Sequence, residues 1–283
     1  MVRINKINPN KKVEVFAKLE KMNPGGSVKD RIAKYMIEYA EIQGRLTKDK
    51  TIIEATSGNT GIGLAMIGAV KGYRVRVVMP ETMSVERRKI MRMFGAEITL
   101  TSGSKGMDGA IDVAREIAKD KKKYWMPDQF SNEYNVLAHY ETTGREIWEQ
   151  TQGKITHFVA GMGTGGTLMG VSRRLKEYNP RIRIIGVEPH EDTPIPGLKN
   201  MKISYMPRIF DESKLDEKIV VRVEDAVKMA RLLARKEGLL VGLSSGAAMY
   251  AAIKKSKELD RGVIVVLFPD GGEKYMSTLL FER

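Results

Sequence analysis

Three stretches of this chain gather residues able to bind anions or form covalent bonds. Thr56-Ser57-Gly58-Asn59-Thr60-Gly61 follows the apolar run Thr51-Ile52-Ile53 and opens into the small-residue segment Ile62-Gly63-Leu64-Ala65-Met66, which reads as a helix. A strand, a polar glycine turn and a helix in that order make an anion cradle, because a helix N-terminus leaves backbone N–H groups unpaired and carries partial positive charge. Ser, Thr and Asn also cap helices, so the turn alone does not separate capping from anion binding. A second turn, Gly161-Met162-Gly163-Thr164-Gly165-Gly166-Thr167, follows a strand ending at Ala160 and leads into another helix. Its glycines let the backbone approach a phosphate closely. Gly161, Gly163 and Gly166 also satisfy GxGxxG, with Glu188 ending the next strand 22 residues later, which by itself supports a dinucleotide reading. Lys29 lies in Asn23-Pro24-Gly25-Gly26-Ser27-Val28-Lys29-Asp30-Arg31, where Ser27 reads as the N-cap and Lys29 falls in the first helical turn. A cation there opposes the helix dipole, whether it points into solvent or is chemically used, and a covalent bond to a carbonyl would remove the conflict. A reactive lysine, a phosphate cradle and a carboxylate cradle together are what a pyridoxal phosphate enzyme acting on an amino acid requires.

The elements that must position these groups alternate along the chain. Strand-like runs cover 13–19, 51–55, 75–79, 98–101, 157–160, 182–187, 219–223 and 263–268, and helical periodicity fills the intervals, beginning with 28–42. Such alternation predicts an α/β fold of two lobes, each a mostly parallel twisted sheet flanked by helices. At 283 residues the chain can bury a substantial core. The Pro127-Asp128-Gln129-Phe130-Ser131-Asn132 loop interrupts the pattern and marks a boundary between 126 and 135.

Composition narrows the function classes. The chain has no cysteine, so thiolate metal sites, disulfides and cysteine nucleophiles are excluded. No apolar run approaches the length needed to span a bilayer and the first residues lack a signal-peptide core, so a cytoplasmic location without membrane association is expected. The net charge of +13 comes from cations interleaved with acids, as in residues 112–120, with no nucleic-acid motif. A basic surface that attracts small anions is therefore expected, and no nucleic-acid partner. His139, His157 and His190 show no metal-ligand spacing, and no metal is expected; His157 on its apolar strand, Trp125, Trp148 and the seventeen methionines read as packing.

The segments NPGGSVKDR, EATSGNTG, PDQFSN, AHYETTGREIWEQ, GMGTGGT, GLSSGAA and FPDGGEKYMST, in this order over nearly the whole chain, resemble the signature of the cysteine synthase (O-acetylserine sulfhydrylase) family within the fold-type II pyridoxal phosphate enzymes, which share a tryptophan synthase β-like fold. The resemblance implies that Lys29 binds the cofactor as a Schiff base, that Asn59 contacts its ring oxygen, and that Gly163, Thr164, Gly165, Gly166 and Thr167 hold its phosphate. Ser244 would face the pyridine nitrogen, beside its simpler reading as a helix N-cap. A neutral hydroxyl there cannot keep the ring protonated, which favours rapid β-elimination. Thr56, Ser57, Gly58, Thr60 and Gln129 would grip the substrate carboxylate. The implied lobes are 23–132, smaller and carrying the carboxylate turn, and 1–22 with 133–283, carrying the phosphate and pyridine-nitrogen sites.

The implied reaction is a β-replacement that makes L-cysteine from O-acetyl-L-serine and sulfide, with Lys29 removing the Cα proton. Residues 195–201 resemble the B-type synthases, and Lys199, at or near a position that reads a phosphorylated substrate in some relatives, raises O-phosphoserine as the alternative leaving-group donor. Cystathionine β-synthase shares most of the motifs, although the chain stops at Arg283 without the regulatory tail of some members. Family members usually carry a Gly-Asn-Thr-Pro-Leu lead-in before the strand matched by Val2-Arg3-Ile4, and this chain starts inside that strand. The resemblance also implies a homodimer, and a partner protein whose C-terminal peptide enters the active-site cleft.

Overall fold

A computed structural model of the protein describes residues 1–281. The chain begins with β1 (Val2–Arg3) and β2 (Val13–Leu19), then runs through α1 (Lys29–Ile42), β3 (Thr51–Ala55), α2 (Asn59–Lys71), β4 (Arg74–Pro80), α3 (Val85–Met93), β5 (Glu97–Thr101), α4 (Gly106–Ile117) and β6 (Tyr124–Trp125). After α5 (Glu133–Ala138), a π-helical turn at His139–Thr143 and α6 (Gly144–Gln150) come β7 (His157–Gly161), α7 (Gly166–Tyr178), β8 (Arg183–Pro189), β9 (Glu217–Val221), α8 (Val223–Leu232), α9 (Leu243–Glu258) and β10 (Gly262–Phe268). The chain forms two compact units, one spanning Asn23–Asn135 and the other Met1–Met22 with the residues from Val136 onward.

The Asn23–Asn135 unit is built on a parallel sheet in the order β5-β4-β3-β6. Its central strand β3 is buried at Ile52, Ile53, Glu54 and Ala55, as expected for a parallel strand covered on both faces. Ala110, Ala114 and Ala118, spaced four apart along α4 and the residue after it, press on Ile53, Ala55 and Val78. Alternation along the strand turns Glu54 to the opposite face, an unusual position for a charged residue type.

The second unit carries the sheet β1-β2-β10-β7-β8-β9, parallel except for the β1–β2 pair. Strand β10 reads GVIVVLF and lies between β2 and β7, pairing Val265 with Phe16 on one side and Phe158 on the other. The small-residue face of α9, with Ala247, Ala248, Ala251 and Ala252, lets that helix settle onto a core that includes Val159, Val266 and Phe268. Each large side chain so enclosed contributes roughly 1.5–3 kcal/mol. Among the described residues no helix is long and apolar enough to cross a membrane.

The eight strand-like runs are all strands, and the helix expected over 28–42 occupies Lys29–Ile42. Differences lie at ends and in short pieces. Helix α2 starts at Asn59 rather than Ile62, because the Gly58 backbone is extended and the chain turns helical directly after it. Strand β6 has two residues, too few to show alternation in sequence. Helix α9 starts at Leu243 after a glycine cap, so Ser244 sits inside the first turn and is not the N-cap.

Candidate active site

In the Asn23–Asn135 unit, the Thr56 N–H extends the edge of β3 by donating to the Val78 carbonyl at 3.0 Å. The Thr56 hydroxyl oxygen accepts the Gly58 N–H at 3.2 Å, which sets the turn before α2. No side chain caps α2: its N-cap is Gly58, with Asn59 and Thr60 as the first helical residues. Capping therefore does not account for the hydroxyls of TSGNTG, and the backbone N–H groups at this helix start are of the kind that can hold an anion. Arg87 of α3 brings an Nη1 within 4.0 Å of where a Cβ on Gly58 would stand, adding positive charge beside the turn.

Gln129 is brought to this turn across 69 residues of sequence: the buried Thr60 hydroxyl donates to its Oε1 at 2.7 Å. The loop carrying Gln129 turns at Asp128, which takes φ of 50°, a conformation that costs free energy for a residue with a side chain. Glu54 holds it there. Its carboxyl oxygens accept the Asp128 N–H at 2.9 Å and the Gln129 N–H at 3.3 Å. Burial pushes the Glu54 carboxyl up to about 8, the two N–H groups opposing that rise without cancelling it.

Lys29 opens α1 with Val28 as its N-cap, not Ser27 as expected, because Val28 already has a helical backbone; Ser27 lies one residue before the cap, and its Oγ accepts the Lys29 N–H at 3.2 Å. The Asp30 carboxylate accepts the Gly25 N–H at 2.6 Å and closes the glycine turn ahead of it. Gly63 in α2 lets the two helices meet at this point. A Cβ there would lie 3.2 Å from the Lys29 carbonyl oxygen and 3.1 Å from the Ala33 Cβ. Lys29, Thr56, Ser57, Gly58, Asn59, Thr60 and Gln129 thus belong to one unit, on or beside two packed helix starts.

The second unit holds the other set. Between β7 and α7 the chain passes through Gly163, Thr164 and Gly165, the last at φ 85° and serving as a helix N-cap with no side-chain cap. A Cβ on Gly163 would stand 2.8 Å from the Gly197 carbonyl oxygen, so only glycine lets this turn lie against the 195–200 loop. That loop is tied down by the Lys199 N–H, which donates to the Met162 carbonyl at 2.7 Å. Gly197 also lies near Ser244: its Cβ would be 3.9 Å from Ser244 Oγ. Gly166 and Thr167 begin α7, and the Thr167 hydroxyl pairs with His139 Nε2 at 3.2 Å, while Nδ1 of that ring pairs with the Thr143 hydroxyl at 2.9 Å. Sequence reading passed over His139 because its partner is 28 residues away; the π-helical turn that carries it is the local distortion often found beside functional groups.

Glu188 does not serve a dinucleotide. It is buried, accepting the Met201 N–H at 3.1 Å and pairing with Lys218 at 3.3 Å, so it braces the loop after β8 and offers no outward carboxylate to a ribose. His157 is satisfied by the Thr156 hydroxyl at 2.8 Å, and burial lowers its pKa. The glycine turn at the start of α7 presents helix-start backbone N–H groups of the kind that can hold a phosphate.

Comparison with known proteins gives the same chemistry. The pyridoxal-phosphate dependent enzyme family matches residues 1–270. A cysteine synthase of Aquifex aeolicus is 52% identical over 290 aligned positions, covering 99% of this chain and 89% of that protein. The chain belongs to the cysteine synthase family. Cysteine synthase B of Escherichia coli is 46% identical, with 99% of this chain and 92% of the relative covered. The crystal structure of the cysteine synthase of Entamoeba histolytica superposes with a TM-score of 0.94 at 41% identity, covering 99% of this chain and 87% of that one. The α/β fold, the family and the use of pyridoxal phosphate expected from the motifs therefore stand.

Proposed function

We propose that the protein makes L-cysteine from O-acetyl-L-serine and sulfide by β-replacement. Bound pyridoxal phosphate supplies the electron sink that makes the Cα proton of the amino acid acidic. Lys29 would hold the cofactor, and its amine, when free, would take the Cα proton as general base. Thr56, Ser57, Gly58, Thr60 and Gln129 hold the substrate carboxylate at the start of α2, where backbone N–H groups and the helix dipole favour an anion. On the resemblance, Asn59 would contact the ring oxygen, Gly163 through Thr167 would bind the phosphate and Ser244 would serve the pyridine nitrogen. The Asn23–Asn135 unit is assigned the substrate carboxylate, and the other unit the phosphate and the pyridine nitrogen.

The observation that carries this assignment is the Thr60–Gln129 hydrogen bond in the unit where Gly63 also admits the start of α1, and with it Lys29, against α2. It gathers two motifs 69 residues apart around one helix N-terminus. The test is the visible spectrum of the protein loaded with pyridoxal phosphate. Addition of O-acetyl-L-serine should displace the cofactor band, sulfide should restore it, and cysteine should accumulate. Lys29→Ala should abolish multiple turnover; near wild-type turnover by that variant would sink the assignment.

A second leaving-group donor is favoured by the tether between the Lys199 N–H and Met162, which keeps Lys199 beside the phosphate turn. O-phosphoserine would then be read by the Lys199 ammonium. Lys199→Ala should lower turnover of O-phosphoserine while sparing O-acetylserine, and equal effects on both would remove that role. On the resemblance, the protein is assigned a homodimeric state in the cytoplasm, testable by light scattering, and a peptide-bearing partner whose capture substrate analogues should suppress.

A further inference from the structure

A buried carboxyl is costly, and Glu54, the fourth of the five residues of β3, lies between Ile53 and Ala55 at 2% exposure. The sheet explains where it is used. Strand β6 pairs with β3 only at Thr51–Tyr124 and Ile52–Trp125, after which the neighbouring chain leaves the ladder. Beyond that point the Glu54 side chain supplies the acceptors that a strand would have supplied, one oxygen to the Asp128 N–H and the other to the Gln129 N–H. A carboxyl group keeps lone pairs on both oxygens in either protonation state, whereas an amide has one oxygen and presents N–H donors at the other position. Two adjacent backbone donors therefore call for an acid at residue 54.

The rest of the loop is fixed from other directions. The Asp128 carbonyl accepts the N–H groups of Ser131 and Asn132, each at 3.0 Å, and Asn132 Nδ2 donates to the Pro127 carbonyl at 2.8 Å. Asn135 Nδ2 donates to the Gln129 carbonyl at 2.8 Å. The Gln129 backbone is thus held at both its N–H and its carbonyl, and its Oε1 accepts from Thr60. With that oxygen occupied, the side chain presents its NH2 group as donor, which is the end a carboxylate needs.

We propose that Glu54 is a positioning residue for the substrate carboxylate, acting entirely through Gln129: by clamping the Asp128 and Gln129 amides it sets the Gln129 side chain against Thr60 with its amide donors presented to the substrate. This rests on the assignment of Gln129 as a carboxylate ligand. Loss of one charge-assisted hydrogen bond to the substrate corresponds to roughly a ten-fold change in affinity.

The test uses the cofactor-loaded protein with O-acetyl-L-serine and sulfide. Glu54→Gln should raise KM for O-acetyl-L-serine roughly ten-fold, with kcat within about three-fold and the resting cofactor spectrum unchanged, because the lost interaction is with bound substrate rather than the reacting atoms. Gln129→Ala should do the same, and the double variant should be no worse than Gln129→Ala alone, since both act on one interaction. Glu54→Asp keeps two acceptor oxygens and should fall between wild type and Glu54→Gln; it stands in, with the same Gln129→Ala cycle, if Glu54→Gln does not fold. A raised KM in Gln129→Ala with an unchanged KM in the Glu54 variants overturns the proposal, as does full additivity in the double variant. A wild-type KM in Gln129→Ala removes the carboxylate assignment itself, and the role of Glu54 with it.

Discussion

The contribution of Glu54 to stability should fall as pH rises from 6 to 9, and Glu54→Gln should lack it. The native-state Glu54 carboxyl titrates at about 8 against an ordinary value of 4.5. Folding therefore holds its proton more tightly, and the contribution is fully present below pH 4.5 and lost as pH climbs through 8. Three and a half units correspond to about 5 kcal/mol in all, of which roughly 2.5 kcal/mol is lost between pH 6 and pH 9. The two N–H bonds from Asp128 and Gln129 pull the other way, and burial outweighs them. The assay is urea unfolding of the cofactor-loaded wild type and of Glu54→Gln at pH 6, 7, 8 and 9. Other titrating groups are common to both proteins, so the difference in unfolding free energy between them isolates residue 54. Wild-type stability relative to the variant should drop by roughly 2.5 kcal/mol across this range, whatever the constant offset from the introduced amide. A difference flat to within about 0.5 kcal/mol would mean that the two backbone donors fully offset desolvation, and the account of a proton-retaining carboxyl would be refuted.

Gly163→Ala places a Cβ 2.8 Å from the Gly197 carbonyl oxygen, a backbone atom that cannot rotate away, so the phosphate turn must move. Cofactor affinity should fall roughly ten-fold or more, measured by titrating the cofactor-free protein with pyridoxal phosphate and following absorbance; unchanged affinity would separate the turn from the phosphate. Thr60→Val leaves the Gln129 Oε1 without its buried donor and should cost about 1–3 kcal/mol in denaturant unfolding, together with a raised KM for the amino acid. Lys18 is buried on β2 and paired with Glu146 and Gln150, so Glu146→Ala should destabilise the fold by a few kcal/mol, visible as a lower Tm, while Glu146→Gln should recover part of the loss.

The sequence made legible whatever is written in contiguous residues. Apolar runs such as 263–268 mark strands because a parallel strand covered on both faces reads as a near-continuous apolar run, and β10 is buried along most of its length. The turns TSGNTG and GMGTGGT could be read because a cradle at a helix start is made by neighbouring residues, and glycine's chemistry is local to the turn. Glu54 lies in the same readable stretch, one residue before Ala55, yet reads only as an odd acid in a strand. Its meaning lies 74 residues away, in the backbone amide of Asp128, and no spacing rule links a side chain to a distant N–H. The same holds for His139, which shows only an absence of metal-ligand spacing until α7 carries Thr167 to it, and for Glu188, whose spacing imitates a ribose-binding acid until Met201 and Lys218 are seen to occupy it. Side chains proposed to touch ligand thus came from local motifs, whereas those that hold them in place came from pairings made only by the fold. The couplings between Glu54, Gln129 and Thr60 are accordingly where substitutions should depart furthest from additivity, while changes in one unit that share no partner with changes in the other should sum.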